Sequence, residues 1–209
     1  RAEGLSKNHR TACMVMGTGN AALADLGAQI RADLDVAARV ALARELWATQ
    51  IHEARIVATQ ALKQARLRPD DAAWAAILDW VTEVDCAPVA DHLIRAGQKR
   101  VLADPARLDT VAEWVAGDAL WPRVIALGLG RAWTGMKFPK GADLTHRARV
   151  VEMTIAVLPD HRRPVQGAVT DVLSDLAKVD PDTARAILSD HGDAMAGAVR
   201  KSLLRALPA

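Results

Sequence analysis

The chain has 209 residues, 51% of them hydrophobic and 25% charged, with a net charge of only +2. That is the balance of an ordinary soluble globular protein with ample core. No apolar run reaches membrane-spanning length and no signal peptide is visible, while Cys13 and Cys86 lie far apart outside any CxxC pattern, which argues against a disulfide framework or a zinc site and for a reducing, cytoplasmic setting.

Tyr is absent, Phe occurs once and Trp six times. Ala, Leu, Arg, Asp and Glu dominate, and β-branched runs with period-two alternation are scarce, so an all-α chain is expected. The sequence begins at Arg1 rather than Met, and a preceding N-terminal piece is expected. "AALADLGAQIRADL" follows Asn20 as its N-cap, and "DVAARVALARELWAT" opens on Asp35. "HEARIVATQALKQ" follows a break near Gln50, and "PDDAAWAAILDWV" opens on Pro69 and Asp70. "DPARLDTVAEWVAG" and "DPDTARAIL" each read as an Asp N-cap with Pro at the first helical position. Gly117 and Asp118 separate two helices, and "GMKFPKGAD", residues 135–143, is the one longer loop. The pattern predicts about ten or eleven helices and no strand.

Trp47, Trp80 and Trp114 recur at intervals of 33 and 34 residues, each closing one helix before a short polar break and a second helix. A period in this range with two helices per unit predicts a single HEAT-like helical-repeat domain over residues 1–209, an α-α superhelix with a concave face. Each of these tryptophans is expected to wedge between neighbouring helix pairs. The second helix of each unit is expected to start at Ile51, Asp85, Ala119 and Arg162. If these starts share a face, their free N–H groups suit phosphates. Pro122 fits the first turn of its helix, leaving Trp121 and Arg123 at the helix mouth.

Charge is uneven. Residues 131–163 carry Arg131, Lys137, Lys140, Arg147, Arg149, Arg162 and Arg163 against Asp143, Glu152 and Asp160, a local excess of four. That suits an anionic polymer or, equally, a solvated charged face. "HRRP" at 161–164 is the best single candidate for a DNA-backbone element. Asp85 reads as an N-cap, Arg123 equally as a phosphate clamp or as a salt-bridge partner of Asp118 or Glu113, and Glu53 and Arg55 as structural pairing between repeats. "HEARI" is not a zinc-protease motif, since Ile56 stands where a second His is needed, and "GTGN" lacks the Gly-Lys of a phosphate loop.

Four segments in order, "LWATQIHEARIVATQAL", "DWVTEVDCAPVADHL", "DALWPRVIAL" and "VQGAVTDVLSDLAKVDPDTARAIL", make most of residues 15–207 resemble the HEAT-like DNA alkylation repair proteins, the AlkD-type DNA glycosylases. The resemblance implies cleavage of the N-glycosidic bond of cationic N-alkylated purines in duplex DNA, by a monomer with no cofactor, metal or membrane. A cationic leaving group needs little acid catalysis, and a nearby carboxylate stabilises the oxocarbenium-like sugar. The resemblance puts that carboxylate at Asp85, with Arg123, Arg162, Arg163, Trp121 and Trp80 as DNA contacts. Its other site positions hold Val81, Val124 and Asp171. A non-catalytic DNA-binding relative and a protein-binding helical scaffold are the alternative readings.

Overall fold

A computed structural model describes residues 11–208. Among them are eleven α-helices, two short 3-10 turns and no named strand. No helix among the described residues is long and apolar enough to cross a membrane. The chain packs as two compact units that meet between Asp104 and Pro105.

The first unit holds α1 (Asn20–Asp33), α2 (Val36–Ala48), α3 (His52–Leu62), α4 (Asp71–Val81) and α5 (Ala87–Ala103). Helix α3 packs against α1, α2 and α5, while α4 packs against α2 and α5. Every α3 residue except Ala54 is buried, as expected of a helix covered on all sides. Asp35 caps α2 as read from sequence, accepting from Ala38 N–H at 2.8 Å. Asn20 does not cap α1: it lies inside the helix, and Gly19 holds the cap position without a side-chain bond. The break before α3 is made by Gln50, a non-glycine residue at φ 54°.

The repeat tryptophans explain the joint between helix pairs. Trp47 and Trp80 stack with ring centroids 4.5 Å apart and planes 7° from parallel. Arg55 lies 4.6 Å over the Trp47 ring, and Trp47 Nε1 donates to Glu83 Oε2 at 2.8 Å. Arg55 also donates to the Glu83 carbonyl and pairs with its carboxylate at 3.2 Å. The pairing between repeats is therefore Arg55 with Glu83. Glu53 instead accepts the N–H groups of Met16 and Gly17.

The second unit holds α6 (Leu108–Ala116), α7 (Leu120–Thr134), α8 (Gly141–Ala156), α9 (Arg163–Val179), α10 (Pro181–His191) and α11 (Gly197–Ala206), with 3-10 turns at Pro105–Arg107 and Gly192–Ala194. Pro105 thus opens a 3-10 turn rather than α6 itself. Asp180 caps α10 with Pro181 in its first turn, as expected. Helix α7 packs against α6, α8 and α9, and α9 also packs against α10 and α11. The second helices start at N-caps Ile51, Cys86, Ala119 and Arg162, so three of the four expected starts hold and the fourth shifts from Asp85 by one residue.

Close packing of α7 on α8 depends on Gly130. A Cβ there would stand 2.5 Å from Val150 Cγ1. Val is stiff at χ1 and cannot swing away cheaply. Gly130→Ala should therefore destabilise by about 1–3 kcal/mol in urea unfolding. The same change should cost less in a Val150→Ala background, and equal costs in both backgrounds would show that the two residues do not share this space.

Candidate nucleic-acid interface

In the first unit, helix α4 ends at Val81 and α5 begins after Cys86. Asp85 sits in the turn between them, half-buried. Its carboxylate does not cap α5, contrary to the expectation from sequence. It faces the N-terminal segment, where Thr11 Oγ1 donates across both oxygens at 3.0 and 2.9 Å, and Ala12 N–H donates to Oδ2 at 2.6 Å. Burial, reinforced by the neighbouring Asp85 charge, pushes the Cys86 thiol up to about 11. A neutral thiol therefore lies beside the carboxylate at physiological pH.

The same segment binds Glu53. Burial alone would raise the Glu53 pKa, but the Met16 and Gly17 N–H bonds outweigh it and the carboxyl titrates below its usual range. Between the starts of α1, α3 and α5 lies a cleft of about 640 Å³, with His52, Glu53, Lys63, His92 and Arg95 in its wall. Burial, with Arg95 and Lys63 nearby, lowers the His92 pKa to about 4. Gln60 Nε2 donates to His92 Nδ1 at 2.9 Å, so the neutral ring carries its proton on Nε2.

In the second unit, the centre is a carboxylate that sequence reasoning missed. Asp160 takes Arg123 Nη1 at 2.6 Å and Arg162 Nη2 at 2.6 Å, with Arg162 Nε and backbone N–H on its other oxygen. The side-chain bond from Arg162 is the main reason the Asp160 carboxyl titrates far below the usual range. Arg123 also donates to the carbonyls of Val115 and Gly117 at the end of α6, and Arg162 to the carbonyl of Asp118. These groups border a cleft of about 660 Å³ whose apolar wall includes Val115, Met153 and Val157. The spacing Asp160-x-Arg162 just ahead of a helix was the available signal. Arg123 reaches it from 37 residues away, which no local pattern encodes.

The expected DNA contacts separate accordingly. Arg163 is exposed in the first turn of α9 and has no ion pair among the described residues. Trp121 is half-buried in the first turn of α7. Arg123 and Arg162 are engaged by Asp160 rather than standing free. Trp80 is only 2% exposed and stacked on Trp47, so its ring is not open to a ligand: the helix-pair joint, not a binding surface, takes this residue. Most of the local basic excess is also used internally. Arg131 pairs with Asp171 and Asp175, Arg149 with Asp109, and Arg147 is buried against the carbonyls of Trp133 and Met136.

A family model described as "DNA alkylation repair enzyme" matches residues 1–206. The chain belongs to the DNA alkylation repair enzyme family. Two solved structures share its fold. AlkD2 from Streptococcus mutans is 17% identical with a TM-score of 0.70, over 100% of this chain and 98% of that one. The smu.31 structure from Streptococcus mutans UA159 is also 17% identical, with a TM-score of 0.69 over 89% of this chain and 92% of that one. No curated protein matches the chain. The all-α, HEAT-like reading is therefore correct. Of the positions that depart from the pattern of the alkylation repair family, Val81 is wholly buried and Val124 is 9% exposed. Asp171 is exposed and held by Arg131.

The Asp160 cluster makes a pH-dependent prediction. Its folded pKa is depressed, so its stabilising contribution is present in full above the ordinary aspartate value and is lost as pH falls from about 4 towards the folded value. Asp160→Asn should destabilise by about 2–3 kcal/mol at pH 7, a figure reduced for the partial exposure of Arg162. Denaturant titrations at pH 7 and pH 3 should show that gap narrowing at the lower pH.

Proposed function

We propose that this family member binds duplex DNA and cleaves the N-glycosidic bond of cationic alkylated purines, with Asp85 as the carboxylate that stabilises the developing sugar cation. The observation that carries the reading is the placement of Asp85. It is a half-buried carboxylate on a helix-connecting turn, held in a fixed orientation by Thr11 and Ala12. Fixed orientation is what electrostatic stabilisation of a transition state requires, because no reorganisation is then needed as charge develops. The alkylated base leaves as a neutral purine, so no protein acid is needed.

Asp85→Asn keeps the size of the side chain and can still accept from Ala12 N–H. It should preserve folding and DNA affinity while reducing release of methylated base from alkylated duplex DNA by roughly 10² or more. Release unaffected by the change would remove Asp85 from the chemistry.

A second reading is a DNA-binding member that releases no base. It is favoured by the buried Val81 and by Asp171, whose carboxylate is tied to Arg131. Neither the wild type nor Asp85→Asn would then exceed the spontaneous rate, with binding intact.

Binding itself should weaken steeply with salt, as phosphate contacts release counterions. Arg163→Ala should flatten that slope by about one contact, since its guanidinium is free. Arg162→Ala should instead lower thermal stability, because it breaks the Asp160 cluster. The reverse pattern would reassign the two arginines.

A further inference from the structure

The loop between α7 and α8 presents the only phenylalanine of the chain to solvent. Phe138 is 90% exposed, the most exposed large apolar side chain among the described residues. Lys137 and Lys140 flank it, both exposed and neither in an ion pair among the described residues. No acid lies in the loop itself. Asp143, in the first turn of α8, accepts the Lys140 N–H at 2.8 Å, and beside Gly135 at the loop's base the Asp175 carboxylate is engaged by Arg131 and Lys178. Leu144, in the first turn of α8, adds a second half-exposed apolar group.

The base of the loop is fastened although its tip is bare. Arg147, 5% exposed, donates from Nε to the Trp133 carbonyl at 3.1 Å and from Nη2 to the Met136 carbonyl at 2.5 Å. Gly135 and Met136 N–H groups bond back to the carbonyls of Arg131 and Trp133. Pro139 restricts Phe138 to extended backbone, which narrows the directions the ring can take. An apolar ring on an anchored loop between two free cations has a specific complement: stacked bases between two phosphate strands. Apolar wedges that part base steps are built from this combination. A protein hot spot would instead set the aromatic among other apolar groups, with charge kept to a rim.

We propose that residues 135–140 form a duplex-DNA wedge, in which Phe138 enters a base step and Lys137 and Lys140 hold the flanking phosphates. This rests on the duplex-DNA reading above and assigns that reading a contact outside the Asp85 region. Weakened stacking at a damaged or mismatched step lowers the cost of entry, so the wedge favours such steps over intact ones.

The test uses the full chain and a duplex carrying 2-aminopurine beside a mismatch. Wild-type protein should raise 2-aminopurine fluorescence on binding, as the step opens. Phe138→Ala should abolish that rise and weaken binding roughly ten-fold, while Phe138→Trp restores both. Lys137→Gln with Lys140→Gln should keep the rise at low salt and reduce the salt slope by about two contacts. All these side chains are exposed, so thermal midpoints should match wild type. Wild-type binding without a fluorescence rise, or Phe138→Ala behaving as wild type, overturns the wedge and leaves DNA binding standing. Absence of any duplex binding overturns both readings. Binding to phosphatidylserine vesicles that depends on Phe138, in place of duplex binding, would reassign the loop to a lipid surface.

Discussion

Within each unit, arginine side chains turned inward onto backbone carbonyls tie helix ends to their neighbours. The last carbonyls of a helix have no partner within it, and they carry the negative end of its dipole. Arg39 donates to the carbonyls of Arg31 and Leu34 at the end of α1. Arg100, fully buried, donates to those of Gln64, Ala65 and Leu67 in the α3–α4 connection. Arg123 closes α6 and Arg147 closes α7 in the same way. Arg55 does so at Glu83, just past α4. A planar guanidinium with five donors can bridge two helix ends while its stem fills apolar space. Short helices that turn back every dozen residues produce many such ends. The repeat therefore creates its own demand for buried cations.

This use of arginine changes what the charge distribution means. A basic excess over residues 131–163 reads as an attraction for a polyanion, yet Arg131, Arg147, Arg149 and Arg162 are committed to carboxylates or carbonyls of this chain. Lys137, Lys140 and Arg163 remain available to a phosphate. Arg163 apart, the division follows side-chain chemistry over this segment: the strongly hydrated ammonium of Lys137 and Lys140 stays in water, and the less hydrated guanidinium is the group used internally.

The fold was legible because its signals are local. Asp35 and Asp180 announce helix starts through their own side-chain bonds, Gly117 ends α6, and Trp47 and Trp80 mark the helix-pair joint at a fixed spacing. Asn20 and Asp85 each miss the cap position by one residue, Asn20 just inside its helix and Asp85 just before Cys86. Both residues can cap, but capping requires the side chain to fold back on its own helix, and Asp85 finds better donors in Thr11 and Ala12, more than 70 residues away. The candidate site was less legible for the same reason. Sequence places Arg123 near a helix mouth but does not say that Asp160 will meet it there. It shows Trp80 next to the family position at Val81, but not that the ring turns onto Trp47.

The N-terminal segment ties two carboxylates, Glu53 and Asp85. Glu53 is 5% exposed and accepts the N–H groups of Met16 and Gly17. It also lies in the wall of the cleft between the starts of α1, α3 and α5. Asp85 is bound more loosely. Thr11 has one hydroxyl hydrogen to share across both oxygens, and Ala12 supplies a second hydrogen to Oδ2. An ionised carboxylate offers about four acceptor positions, and the Cys86 thiol takes up a further one. The neutral Cys86 thiol beside it brings no competing charge. Anchoring and the chemistry proposed for Asp85 make the same demand: the bonds from Thr11 and Ala12 fix the orientation of the carboxylate in advance, which is the condition for stabilising charge without reorganisation.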